Sequence, residues 1–171
     1  MTALRTEFET PFVVEGLEVL PEWIDFNGHF NIAFYLLAFD KAFDAIYERL
    51  GFEPDQIEKQ GVSTFSTEHH LTYQGEMLLG DPIRIHAWLL DHDDKRFRVF
   101  YEMYHAKDGY LAATDERIDI YVDMKSRRVI PMPSPIQAHL ARLKAAHAKL
   151  GMPFEAGRGI SFANRKRPGG G

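Results

Sequence analysis

Between Asn31 and Leu50 the apolar residues Ile32, Tyr35, Leu36, Phe39, Phe43, Ile46, Tyr47 and Leu50 recur at helical spacing, and the first two turns carry no polar face. A helix without a wet side must be wrapped by the rest of its chain, which is the strongest constraint this sequence places on a fold. Asn31 is placed to cap the helix and Gly51 to end it, while Asp40, Lys41, Asp44, Glu48 and Arg49 give its second half a solvated side.

The wrapping has to come from strands. Residues 12–20, 63–73, 82–90, 96–105 and 110–122 are rich in aromatic and β-branched side chains, and the last four are joined by compact turn-rich connections that favour antiparallel neighbours. The order is β-α-β-β-β-β, so the expected fold class is α+β: an antiparallel sheet wrapped around one long buried helix. A further helix is expected over 134–150. Ser134 would be its N-cap, Pro135 its first helical residue, Gln137 the partner in a capping box, and Gly151 its terminator. Its apolar stripe reads Ile136, Leu140, Leu143 and Leu150. Residues 1–151 are expected to form a single domain, and 152–171 a tail that is mobile at its end.

Composition narrows the function. Twenty-five acidic against twenty basic residues leave a formal charge of -5, so no overall positive field would draw in nucleic acid or an anionic membrane. There is no cysteine, which excludes disulfides and thiolate chemistry. Together with an N-terminus that carries charge where a secretory signal needs apolar residues, this predicts a cytoplasmic protein. His69 and His70 are adjacent and would point to opposite faces of a strand, and no histidines have zinc-like spacing, so no metal is expected. Nucleophile-elbow, phosphate-loop and dinucleotide glycine patterns are absent.

The polar residues crowd in front of the apolar helix, in the stretch WIDFNGHFN from Trp23 to Asn31. The first N–H groups of a helix lack intrahelical acceptors and its dipole is positive there, so a polarised carbonyl oxygen is stabilised at that point. Asp25 in the preceding loop would be a general base or nucleophile, with Trp23 and Phe26 limiting water at the mouth of an apolar slot. Asp, Asn and Gly ahead of a helix are also what a tight turn and an N-cap use, so the residue types alone leave both readings open. Glu68 and His70 share one strand face and would form a second polar patch, in the site wall, at a subunit boundary or on the outer face of the sheet.

Asp25, Gly28, His29, Asn31 and Tyr35 at this spacing resemble the Asp-x-x-Gly-His-x-Asn-x-x-x-Tyr signature of hotdog-fold acyl-CoA thioesterases of the 4-hydroxybenzoyl-CoA thioesterase type. Tyr73 followed by Gly80-Asp81 is similar to that family's turn between its second and third strands, and the resemblance spans roughly residues 12 to 124. It implies a hotdog fold and thioester hydrolysis, with Asp25 as the catalytic carboxylate and the backbone N–H near Ile32 holding the carbonyl oxygen. Asn31 and His29 would assist, while Trp23, Phe26, Tyr35, Glu68 and His70 would contact substrate. One departure is Ile32 itself, which stands where many relatives have a second Asn. The resemblance further implies a homodimer or homotetramer with sites between subunits, and no cofactor beyond the coenzyme A carried by the substrate. The subgroup it resembles is associated with carnitine and betaine catabolism, which suggests a short cationic acyl group such as betainyl-CoA. A hotdog enoyl-CoA hydratase and a non-catalytic acyl-CoA-binding module are the alternatives the motif leaves. Arg84, Arg96, Arg98, Arg127, Arg128 and the C-terminal helix are unranked candidates for the CoA nucleotide.

Overall fold

The structure, a computed structural model, describes residues 8–162. Strands β1 (Phe12–Glu18), β2 (Val62–Tyr73), β3 (Pro82–His92), β4 (Arg96–His105) and β5 (Leu111–Asp123) form an antiparallel sheet in the order β1-β3-β4-β5-β2. A two-residue strand β6 (Arg128–Val129) adds to β5. Helix α1 (Ile32–Ile46) lies against one face, α2 (Gln56–Gln60) is a short turn before β2, and α3 (Ser134–Ala148) packs beside β3.

Alternation along the central strands builds the inner face. Ile83, Ile85, Ala87 and Leu89 of β3 and Phe97, Val99, Tyr101 and Met103 of β4 are all buried, and they share one core with Ala38, Phe39, Ala42, Phe43 and Ile46 of α1. Each fully buried Val, Leu, Ile, Met or Phe side chain among them contributes about 1.5–3 kcal/mol, and the alanines less. The helix is thus held by its core-facing stripe, as the periodicity predicts.

The sheet wraps the helix as expected, but within one protomer its first turns are only partly covered: Ile32 is 67% exposed and Leu36 and Leu37 are exposed as well. The sheet ends at β2, an edge strand, and reaches no farther around the first turns of α1. An uncovered apolar flank therefore borders an unpaired strand edge. That edge is not straight. The pairing of β2 with β5 shifts between Ser66 and Glu68, a bulge at Thr67, and β1 at the other edge shifts between Val14 and Leu17.

The C-terminal helix differs from its sequence reading at both ends. Ser134 is its first residue, Pro133 occupies the cap position, and no side chain caps it, since the Gln137 amide donates instead to the Met132 carbonyl at 2.7 Å. Leu150 lies past the helix and is exposed, and His147 takes its place beside Leu140 and Leu143. Residues 155–158 of the segment after the helix are tied to the sheet and to one another. They lie by the outer face of the sheet, where the Gly157 N–H donates to Glu116 at 2.6 Å and Glu155 is buried beside Arg158, while Ile160 and Phe162 beyond them are exposed. The expected mobile end beyond them falls outside the described residues.

His147 makes folding sensitive to acid. Its Nδ1 accepts from the Leu89 N–H at 2.9 Å and its Nε2 meets the Glu9 carbonyl at 3.1 Å, so the neutral ring fits both partners and a second ring proton would face the Leu89 N–H. Burial pushes its pKa below the usual 6.5, only partly offset by the Glu9 carbonyl. A depressed histidine binds protons more readily when unfolded, so its stabilisation is complete above the unfolded pKa and is lost as pH falls from there toward the folded one. Urea midpoints should fall on titration from pH 7.5 to pH 5.5, and His147→Gln should flatten that slope.

Candidate active site

The stretch before α1 folds back on itself as a small hairpin. Ile24 bridges to Phe30, the Asp25 N–H donates to the His29 carbonyl at 2.9 Å, and the Gly28 N–H donates to the Asp25 carbonyl at 3.0 Å. Gly28 has φ of +82°, a conformation that side-chain-bearing residues adopt at a cost, while a Cβ there would meet nothing within 4 Å. The requirement for glycine is conformational, set by the turn.

Asp25 works inside this turn. Its Oδ1 accepts the N–H of Asn27 at 2.8 Å and of His29 at 3.1 Å, while Oδ2 has no hydrogen-bond partner among the described residues. The two readings left open by the residue types are therefore compatible: one carboxylate oxygen builds the turn and the other stays available. Trp23 holds the hairpin from behind, buried and stacked on Phe30 and Phe34, and its carbonyl accepts the Asn31 N–H at 2.9 Å. It is core, and does not guard a mouth as the sequence suggests. Phe26 stands at the tip of the hairpin, 97% exposed, and limits no water within a single protomer.

Asn31 caps α1 as expected, its Oδ1 accepting the Ala33 N–H at 3.0 Å and its carbonyl the Phe34 N–H at 2.9 Å. The Ile32 N–H has no acceptor among the described residues, and the Ile32 carbonyl accepts the Tyr73 hydroxyl at 3.3 Å. A free donor thus remains at the positive end of the helix. Ile32 lines a cleft of about 360 Å³ together with His29, Phe30, Tyr35, Tyr73, Gln74, Gly75, Glu76 and Met77. Asp25 is not among the lining residues and adjoins the cleft through His29, whose N–H it holds.

The far wall of the cleft is the loop after β2, and several bonds fix it. The N–H groups of Gln74 and Gly75 donate to the Ala112 carbonyl, the Tyr110 hydroxyl donates to the Glu76 carbonyl at 2.6 Å, and the Phe30 N–H donates to the Met77 carbonyl. Asp81 closes the loop by accepting the Leu78 N–H at 2.8 Å. Glu76 reaches back across the cleft to His29, with Oε1 2.6 Å from Nε2. Tyr35 is stacked under Phe30, and burial pushes its hydroxyl up to about 12 despite a hydrogen bond with the Met77 backbone, so it stays neutral.

Glu68 and His70 do share a face, but it is the outer one. They pair with Ile118 and Glu116, whereas His69 turns inward to Asp115 at 3.0 Å. The bulge at Thr67 lets Ser66 and His69, three residues apart, both face the helix. Within one protomer Glu68 and His70 are therefore remote from the cleft, a correction to their placement in the site wall.

A second polar assembly, which sequence reasoning missed, lies beneath the middle of α1. Arg117 donates to both oxygens of fully buried Asp119 at 2.8 and 2.7 Å, to Asp40 at 3.2 Å and to Ser66, and its guanidinium stands 3.9 Å over the Phe43 ring. Burial works against its charge, but the hydrogen bonds to Asp119 and the nearby negative charges carry its pKa above the ordinary arginine value. The signal was present as Asp115, Arg117 and Asp119 at period two in one strand. Among the candidate CoA contacts, Arg84, Arg96 and Arg98 are engaged with Glu15, Asp93 and Glu116. No group of three or more His, Asp or Glu residues suited to a metal ion occurs among the described residues, and none of their helices is long and apolar enough to cross a membrane.

The comparisons with known proteins fit this arrangement. A model of the thioesterase-like superfamily matches residues 19–140. The betainyl-CoA thioesterase of Pseudomonas aeruginosa is 34% identical over 95% of this chain and 98% of its own. The L-carnitine dehydrogenase/betainyl-CoA thioesterase of Rhizobium meliloti is 32% identical over 88% of this chain, which spans 30% of that longer protein. Among solved structures, a Staphylococcus aureus protein in complex with CoA superposes with a TM-score of 0.80 at 24% identity, covering 92% of this chain and all of that one. A putative thioesterase of Pseudomonas putida gives 0.75 at 27% identity over 91% of this chain and 99% of its own. With a family match across most of its length and a sheet that wraps one central helix, the chain belongs to the thioesterase-like superfamily and is a thioester hydrolase of hotdog fold.

Proposed function

We propose that this acyl-CoA thioesterase hydrolyses a short cationic thioester, betainyl-CoA first among candidates, and that Asp25 is its catalytic carboxylate. The observation that carries the catalytic reading is the unpaired Ile32 N–H at the start of α1, on a residue that lines an aromatic cleft adjoining Asp25. The thioester oxygen would accept that N–H, and the helix dipole would stabilise the negative charge that grows on it as the tetrahedral intermediate forms. Asp25, through Oδ2, would take a proton from the attacking water or attack the carbonyl carbon itself. CoA leaves as the thiol or thiolate; in the nucleophilic route water then hydrolyses the acyl–Asp25 anhydride, releasing the acid and restoring the carboxylate, and no cofactor enters the scheme. The cationic acyl group is supported by the likeness to the Pseudomonas aeruginosa enzyme.

We further propose a homodimer formed along the β2 edge, since pairing there would cover both the open strand and the exposed Ile32, Leu36 and Leu37 flank. A symmetric pairing would also bring partner residues toward Phe26 and the cleft. A cysteine-free chain acting on CoA esters fits the cytoplasm.

The test is thiol release over a panel of betainyl-, short aliphatic, aryl- and long-chain acyl-CoAs, with enoyl-CoA included. Highest kcat/KM on betainyl-CoA supports the reading. Hydration of the enoyl substrate without thiol release would move the chain to the hydratases, and tight binding without turnover would make it a binding module.

A further inference from the structure

Resting on the cationic-substrate reading above, the geometry points to Glu76, with the ring of Tyr73, as the subsite that recognises the positive headgroup. Of the hollows lined by carboxylates, one at Glu48, Glu53 and Asp55 lies past the far end of α1 and is remote from the helix start, which leaves two to compare. The wider, about 660 Å³, runs between α1 and β2 and is lined by Asp40, Asp44, Phe43, Tyr47, Phe65 and Arg117 among others. The smaller is the cleft at the helix start, where Glu76 is the carboxylate and Phe30, Tyr35 and Tyr73 are the rings.

Distance decides between them. In a betainyl thioester the quaternary nitrogen is two bonds from the carbonyl carbon, about 2.5 Å away. A carbonyl oxygen held by the Ile32 N–H therefore leaves the headgroup inside the same cleft. Asp40 and Asp44 lie eight and twelve residues farther along the helix, about 12 and 18 Å along its axis. Within a protomer they are out of reach, and Arg117 already engages Asp40.

The chemistry of the cleft suits a trimethylammonium group. Such a cation has no N–H to donate, so it is recognised by ring faces and by the field of a nearby carboxylate. Tyr73 is half exposed, and its hydroxyl bond to the Ile32 carbonyl and edge contact with Tyr35 fix its ring at the helix start. Glu76 spends one oxygen on His29, and the Tyr110 bond to its carbonyl holds its backbone. An apolar pocket alone would not separate the cation from a neutral molecule of the same shape. A carboxylate at this position would.

The experiment compares betainyl-CoA with 3,3-dimethylbutanoyl-CoA, the neutral isostere in which carbon replaces the quaternary nitrogen. The readout is the ratio of kcat/KM for the two esters, so a general loss of activity cancels. The wild-type enzyme is expected to favour the cation by about tenfold or more. Glu76→Gln, which keeps a hydrogen-bonding partner for His29, should lower the wild-type ratio by about tenfold, the intrinsic reactivities of the two esters cancelling in that comparison, and Glu76→Asp should restore part of it. An unchanged ratio in Glu76→Gln, with both rates falling together, would make Glu76 a support for His29 and overturn the headgroup role while leaving the substrate reading intact. Collapse of the ratio in Asp44→Asn instead would move recognition to the wider groove and equally overturn it. A wild-type ratio near one would remove the cationic-substrate reading itself. Should Glu76→Gln fail to fold, product inhibition of the wild-type enzyme by glycine betaine and by 3,3-dimethylbutanoate reads the same preference, and equal inhibition constants would refute the subsite.

Discussion

Asp25→Asn is expected to lower kcat/KM for thioester hydrolysis by about a hundredfold to ten-thousandfold while leaving the fold in place. The substitution separates the two duties of one side chain. An asparagine Oδ1 still accepts the N–H groups of Asn27 and His29, so the turn that presents the helix start is retained. What disappears is the oxygen that has no partner in the turn, replaced by an amide that neither takes a proton nor attacks a carbonyl. Asp25→Ala removes both and should cost stability as well as rate. Steady-state thiol release beside a thermal melt distinguishes the two variants. Near-normal turnover by Asp25→Asn would mean that the carboxylate serves only the turn.

The largest expected loss of stability comes from the assembly beneath α1. Arg117→Met should destabilise the protein by about 3–5 kcal/mol, because Asp119 is left charged and fully buried with, among the described residues, only the Ser66 hydroxyl donating to its side chain. The loss of Arg117 also removes a cation from the Phe43 ring and a partner from Asp40. The double variant Arg117→Met with Asp119→Leu should recover most of this, since an apolar pair of similar volume carries no desolvation penalty. Urea unfolding of the wild type, both single variants and the double variant closes the cycle. A single variant as stable as the wild type would show that Asp119 finds another partner or a proton.

The parts of this molecule governed by local rules were legible in its sequence. The apolar stripe of α1, its Asn31 cap and the alternating strands each depend on side chains a few residues apart, and the element order follows from them. The family motif carried Asp25 and the helix start to one place for the same reason, since all of it lies within eleven residues. What needed coordinates was set by contacts between distant segments. Trp23 reads as a lid and is core, because Phe30 and Phe34 stack on it. Glu76 drew no notice, because its meeting with His29 spans 47 residues and depends on a loop pinned by Ala112 and Tyr110. The side of the sheet taken by Glu68 and His70 was undetermined, since a bulge resets the alternation and sequence does not announce which residue is extra.

That extra residue also bears on how large an assembly can grow. A flat outer strand is a template on which neighbours can stack without end, each addition offering the next a fresh docking rim. Here both rims are kinked, one at Thr67 and the other at Gly16, so a newcomer must be bent at a matching point. In the proposed dimer, two copies related by a twofold axis would meet that condition for β2 and would leave only the other, differently bent rim open to solution. Growth of that assembly would then stop at a closed particle.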